Sequence, residues 1–153
     1  SNGCQIAIGG RADRIDSLDN GTIRVVDYKT GERNLDFNGV ESLFSGATRN
    51  KKKNILQTMI YSMVLHHEYK RDVQPTLYYA RHMHEKEYSP LLIDKSRKEC
   101  ECVLYNDYTT EFEPILSEKL NELFDLSRPF ERCSIEESRE NCAYCDFRTI
   151  CKR

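Results

Sequence analysis

Two runs of strand-forming residues flank Asn20-Gly21, and this dipeptide constrains the fold more than any other feature of the chain. Asn-Gly accepts the positive φ angles of a tight hairpin. Residues 5–16, ending in Gly9-Gly10-Arg11-Ala12-Asp13-Arg14-Ile15-Asp16, are therefore predicted to pair antiparallel with Thr22-Ile23-Arg24-Val25-Val26-Asp27-Tyr28-Lys29. The first strand is expected to bend at its two glycines. In the second strand Asp27 and Lys29 share one face, because side chains alternate along a strand. An acid beside an ammonium at a strand end can bind a divalent metal and steady an anion forming next to it. Asp13 is the first candidate for a second acid, since strand pairing can bring it near Asp27, although the sequence leaves the register open.

Beyond the hairpin, 30–50 is polar and contains glycine with little periodicity, as in a loop or poorly formed helix. Residues 54–65 carry apolar side chains at helical spacing, with Asn54 as the N-cap and Gln57 and Tyr61 one turn apart on one face. A strand is expected over 76–81 after Pro75, and a second over 88–93, which Pro90 confines to an edge or bulge. The charged segment 94–101 reads as a loop. An amphipathic helix is expected over 109–126, its apolar face made by Phe112, Ile115, Leu116, Leu120, Leu123 and Phe124, with Pro114 in or just before its first turn.

With 153 residues the chain fits one domain large enough to bury a core. Its 39% hydrophobic and 31% charged residues suit a soluble globular protein, and a net charge of −2 argues against coating nucleic acid by charge alone. Arg49-Asn50-Lys51-Lys52-Lys53 is the densest basic cluster and reads as a solvated helix start or loop, a local basic groove being the alternative. No apolar run is long enough to span a bilayer and no secretory leader is present, so a cytoplasmic, reducing setting is expected. The Ser1-Asn2-Gly3 start resembles a tag remnant on an excised fragment. Seven cysteines cannot all pair within one chain, and clustered thiols in a reducing compartment more often hold metal.

Taken alone, Asp-x-Lys is weak, and many such patterns are surface charges on an exposed strand. Here it ends a β-branched strand, precedes Thr30-Gly31 and follows an acid in a Gly-x-x-Asp segment. Mg²⁺ takes hard oxygen ligands and retains waters, so two carboxylates leave positions for water and a phosphate oxygen. Lys29 could then orient or deprotonate the attacking water, or stabilise charge at phosphorus.

Gly10-Arg11-Ala12-Asp13-Arg14-Ile15-Asp16, Val26-Asp27-Tyr28-Lys29-Thr30-Gly31 and Gln57-x-x-x-Tyr61 together resemble, in order, the motifs of the PD-(D/E)XK nuclease superfamily, most closely its RecB-like branch, which includes the AddB nuclease domain. The resemblance runs from about Gly9 to Cys151. It implies an α/β, restriction-endonuclease-like core with a mixed sheet flanked by helices over 1–130, and a cysteine-bearing tail over 131–153. It implies that Asp13 and Asp27 bind Mg²⁺ or Mn²⁺, that Tyr28 lends its carbonyl, that Lys29 is the catalytic lysine, and that Gln57 and Tyr61 line the site or contact DNA. Asp16 is the rival acid of the first motif. The branch usually carries a further acid or histidine on an upstream helix, for which the eight residues before Gly9 leave no room. The activity implied is exonucleolytic hydrolysis of DNA in recombinational repair, beside a helicase subunit or domain.

Cys142, Cys145 and Cys151 form a C-x2-C-x5-C pattern, and thiolates so spaced can converge on one metal centre. In the RecB-like branch a similar triple joins an upstream cysteine to hold a 4Fe-4S cluster. That upstream residue would lie in the missing segment of an intact parent; Cys4 and Cys133 as substitutes read better as unrelated thiols, and three reduced, metal-free cysteines are the alternative for the triple itself. Neither His66-His67 nor His82-x-His84 makes a convincing metal site, and Tyr78-Tyr79 reads as cross-strand packing, base stacking being the alternative. Two other functions remain open from the residues: a non-catalytic DNA-binding scaffold of the same fold, and a cysteine-held interaction module.

Overall fold

The computed structural model describes residues 7–45, 49–98, 103–129, 142 and 145–151. It divides into two compact units, 1–119 and 120–153. The first is mixed α/β. Strand β1 (Arg14–Ser17) pairs antiparallel with β2 (Ile23–Lys29), and β2 pairs in parallel with β4 (Val73–Tyr79), giving the order β1-β2-β4. A second, two-stranded parallel sheet joins β3 (Asp36–Phe37) to β5 (Ile93–Asp94). Helices α1 (Glu41–Phe44), α2 (Arg49–Tyr69) and α3 (Thr109–Leu123) accompany the sheets. This is a mixed sheet flanked by helices, the architecture expected of a restriction-endonuclease-like core.

The hairpin forms, with a longer turn than the two-residue loop that Asn-Gly can support. Gly21 N–H donates to Leu18 O and Leu18 N–H to Thr22 O, both at 2.9 Å. Gly21 alone takes a positive φ there, 88°. Asn20 contributes through its side chain, whose Oδ1 accepts from Thr22 N at 3.0 Å. The first strand is shorter than its composition suggests. Residues 7–13 are irregular, Gly9-Gly10 lie in this lead-in, and Gln5 and Ile6 fall outside the described residues.

The polar segment after β2 holds β3 and α1, each short, where little periodicity was legible. Helix α2 starts before Asn54, so Asn54 is interior rather than a cap: its carbonyl accepts from Thr58 Oγ1 at 2.8 Å. The buried face of α2 is Ile55, Thr58, Met59, Ser62 and Leu65. Thr58 and Ser62 tolerate burial because each hydroxyl donates to the carbonyl one turn earlier, 2.8 and 2.9 Å away. Lys52, in the basic cluster, is tied to Asn34 Oδ1 at 3.0 Å and to the Asp36 carbonyl. The helix ends at Lys70, with φ 53° and its N–H on His66 O.

Strand β4 begins at Val73 and includes Pro75, rather than starting after it. Leu77 N–H points away from β2, to Pro90 O at 3.0 Å. Pro75, two residues earlier, faces the same way, so its missing N–H takes nothing from the β2 ladder. Leu91 bridges antiparallel to Thr76, and β5 then turns to the second sheet instead of extending that pairing. Helix α3 starts at Thr109, directly after a 3-10 turn (Tyr105–Tyr108), and Pro114 is its sixth residue rather than in its first turn. Phe112 and Leu116 are buried as expected, whereas Leu123 and Phe124 are more than half exposed. The second unit contains the end of α3, a turn tied by Asp125 to Ser127, and helix α4 (Arg148–Cys151). No helix among the described residues is long and apolar enough to cross a membrane.

Candidate active site

Alternation along β2 sends Val25, Asp27 and Lys29 toward α2 and Arg24, Val26 and Tyr28 to the opposite face. Asp27 is buried, and Lys29 Nζ lies 2.5 Å from its Oδ2. That contact is off the direction a hydrogen bond takes, and Oδ2 is a buried oxygen with no hydrogen-bond donor. The ammonium is instead directed to Gln57 Oε1 on α2, 2.9 Å away. Gln57 Nε2 donates in turn to Tyr61 Oη at 2.8 Å.

Asp13 sits immediately before β1, and its Oδ2 accepts the Tyr28 N–H at 2.8 Å. The register Arg14↔Val26 places it beside the carboxyl end of β2, so its carboxylate is pinned to the backbone between Asp27 and Lys29. Three residues upstream, a Cβ on Gly10 would overlap Tyr61 Cε1 and lie 3.2 Å from its Cζ and Oη. A glycine is therefore needed where the lead-in crosses α2. Asp13, Asp27, Lys29, Gln57 and Tyr61 thus belong to one corner of the first unit.

Tyr28 contributes to this corner through its backbone. Its ring is on the other face, 5.6 Å from that of Tyr78, and its hydroxyl accepts from Arg14 at 3.3 Å. Asp16 is drawn elsewhere: the Arg14 guanidinium holds it at 2.7 and 2.8 Å and lowers its carboxyl below the usual range. Tyr78 packs between Tyr28 and Tyr88, and Tyr79 is fully buried with its hydroxyl on Asn34 O. The histidines serve local contacts: His66 Nδ1 with Arg71 O, His67 with Glu113 and His82 with Glu85.

Among the described residues no three His, Cys, Asp or Glu side chains converge as metal ligands. Cys142, Cys145 and Cys151 lie in the second unit, where Cys145 N–H donates to Cys142 O at 3.4 Å. Cys4, Cys100, Cys102 and Cys133 lie outside the described residues. For a hard divalent cation the donor set is better suited. Asp27 offers a buried anionic oxygen without a donor and Asp13 an anchored carboxylate, both of the type Mg²⁺ prefers.

Sequence reasoning missed Asp94. It is buried and accepts from Gly39 N at 2.9 Å, Ser96 N at 3.0 Å, Ser96 Oγ at 2.7 Å and Tyr108 Oη at 3.0 Å. Burial pushes its carboxyl up, yet the hydrogen bonds outweigh burial and hold it below the usual range. It braces the second sheet, its bonds running to Gly39, Ser96 and Tyr108.

No curated protein and no solved structure matches the chain. A family model, that of the PD-(D/E)XK nuclease superfamily, matches residues 2–152. Enzymes of this superfamily are nucleases that generally use divalent metals, and the mixed α/β core described above is consistent with their fold. With nearly its whole length matched, this chain belongs to the PD-(D/E)XK nuclease superfamily.

Proposed function

We propose that the chain is the nuclease portion of a RecB/AddB-like helicase-nuclease, hydrolysing DNA phosphodiester bonds from an end in recombinational repair. The observation that carries the catalytic part is the Asp27 corner: a buried carboxylate oxygen without a donor, a second carboxylate fixed by the Tyr28 amide, and an ammonium 2.5 Å from the first. Asp13 and Asp27, with the Tyr28 carbonyl, would hold Mg²⁺ or Mn²⁺, which when bound supplies Lewis acidity toward a phosphate oxygen. Lys29 orients the attacking water or stabilises charge developing at phosphorus. The branch, the exonuclease mode and the helicase association are supported by the ordered motifs alone.

The test is digestion of linear and covalently closed DNA with Mg²⁺ or Mn²⁺, by this chain and within its longer polypeptide. Linear DNA should be shortened and the closed circle spared, with Asp27→Asn and Lys29→Ala each losing activity. Cleavage of the circle would refute the exonuclease mode. Undiminished activity of Lys29→Ala would remove that residue from the mechanism.

A further inference from the structure

Helix α2 carries its charges in an order that works against its own stability. Arg49, Lys51 and Lys52 fall in the first turn and Lys53 follows directly, with no acid among them, while the one carboxylate of the helix, Glu68, comes in its last turn. The amino end of a helix disfavours cations and the carboxyl end disfavours anions. These basic residues therefore need a reason outside the helix. Lys52 has one within the fold: its ammonium is held by Asn34 Oδ1 at 3.0 Å and by the Asp36 carbonyl, with Asp36 Oδ2 3.7 Å away. Lys53 has no such reason. It is exposed, and among the described residues no acid or other acceptor pairs with it.

Position relates Lys53 to the active corner. It is one turn before Gln57, about 6 Å nearer the amino end of α2 and about 40° around the helix toward solvent. Gln57 meets Lys29 at the end of β2, 2.9 Å away. Lys53 thus stands about one turn beyond that strand end, on the rim of the corner that holds the buried Asp27 oxygen without a donor. The space past the strand end is open: Thr30 and Gly31 are exposed, and a Cβ on Gly31 would meet nothing within 4 Å. An unpaired ammonium near the amino end of a 21-residue helix, beside an open approach, favours an anion.

We propose that Lys53 binds a backbone phosphate of DNA one or two nucleotides from the phosphate at Asp27, and is therefore a substrate-binding residue outside the catalytic motifs. The turn of about 6 Å between Lys53 and Gln57 matches about two nucleotide steps at 3.4 Å of rise each. Which phosphate it meets rests on the nuclease reading above; that it meets DNA does not. Phosphate contacts carry no sequence information, so the effect should be the same on any sequence.

The test is the salt dependence of binding to a short fluorescein-labelled DNA duplex, read by anisotropy with EDTA present so that nothing is cleaved. Lys53→Ala should bind about three- to fivefold more weakly at about 50 mM salt. Its plot of log K against log salt should be shallower by about 0.9, the share of one neutralised phosphate. Raising salt to about 200 mM should then cost wild type about threefold more affinity than it costs the variant. Lys53→Arg should keep the wild-type slope. So should Lys70→Asn, which removes the same charge about 25 Å away at the other end of α2. Thermal melts should show Lys53→Ala as stable as wild type or slightly more so, because alanine is a good helix former and a cation leaves the amino end. An unchanged slope in Lys53→Ala, an equal change in Lys70→Asn, or no DNA binding by wild type would overturn the proposal. If Lys53→Ala has the shallower slope while wild type with Mg²⁺ or Mn²⁺ cleaves no DNA, the nuclease reading fails and the phosphate contact stands. If wild type cleaves and the slope is unchanged, the reverse holds.

Discussion

Asp27→Asn separates metal binding from fold more cleanly than any other change at the site. Asn keeps the shape of the side chain and removes the charge from an oxygen that is buried without a donor. In the absence of metal two effects oppose each other. The Lys29 ammonium loses a counter-ion 2.5 Å away, and a carboxylate no longer has to be kept from water. Lys29 keeps its bond to Gln57, so the metal-free melting temperature should change little. With metal the variants diverge. For a two-carboxylate site with Kd of about 0.1 mM, Mn²⁺ at about 10 mM is roughly 100 Kd and stabilises the folded state by about 2.7 kcal/mol. For a chain of this length each kcal/mol raises Tm by about 2–4 °C, so wild type should gain roughly 5–11 °C. Differential scanning fluorimetry at matched ionic strength reads the shift, the match being needed because salt alone screens surface charge. Asp27→Asn should gain almost nothing. An equal rise in wild type and Asp27→Asn would refute the assignment of the buried oxygen as a ligand.

Three further outcomes follow from contacts away from that oxygen. Asp94→Ala leaves the Tyr108 hydroxyl, the Gly39 amide and Ser96 without their acceptor, and should cost about 3–5 kcal/mol in urea unfolding. Because the folded-state pKa of Asp94 is depressed, its contribution is complete above the ordinary carboxylate range and is lost as pH falls from about 4 through the depressed value; wild type should lose stability over that window more steeply than Asp94→Ala. Gly21→Ala would bring a Cβ into ordinary contact with Arg71 Nη2 at 3.8 Å but must keep φ near 88°, so chemical denaturation should show a loss of about 1 kcal/mol from backbone strain. Phe112→Ala removes a fully buried ring that packs on Phe44 and Tyr105, and should destabilise by about 3–5 kcal/mol.

What could be read from the sequence is what depends on neighbours along the chain. The hairpin was legible because Asn20 and Gly21 act within their own turn, and the shared face of Asp27 and Lys29 because alternation is a property of one strand. The placement of Gln57 and Tyr61 on one helical face was legible for the same reason. Asp94 was not, since Ile93-Asp94-Lys95-Ser96 looks like any charged surface segment until the Gly39 amide, 55 residues away, is brought against it. The role of Gly10 depends likewise on a ring from α2. The apolar spacing of α2 does not show that Thr58 and Ser62 share its buried face, which they can because their hydroxyls are satisfied within the helix. Pro75 suggested a break for want of knowing which side of β4 its missing N–H would face.

The spacings of the two central motifs are related by the geometry of the crossover. Strands β2 and β4 run parallel with Ile23 opposite Val73, and α2 returns the chain from the carboxyl end of β2 to the start of β4. Lys29 is six residues above Ile23, about 20 Å at 3.3 Å per residue. A helix descends the same 20 Å in about 13 residues at 1.5 Å each. Counting back about 13 residues from the end of α2 near Lys70 reaches Gln57, which is therefore level with Lys29, as the 2.9 Å hydrogen bond requires. The next helical turn repeats the match. Four helical residues descend about 6 Å, close to the 6.6 Å of two strand residues, so Tyr61 stands level with Asp27. A glutamine and tyrosine four apart on the helix can face an acid and a lysine two apart on the strand because these two rises agree. Shifting either partner by one position, such as moving the tyrosine to position 60 or 62, would turn it about 100° around the helix and away from both Gly10 and the Gln57 amide.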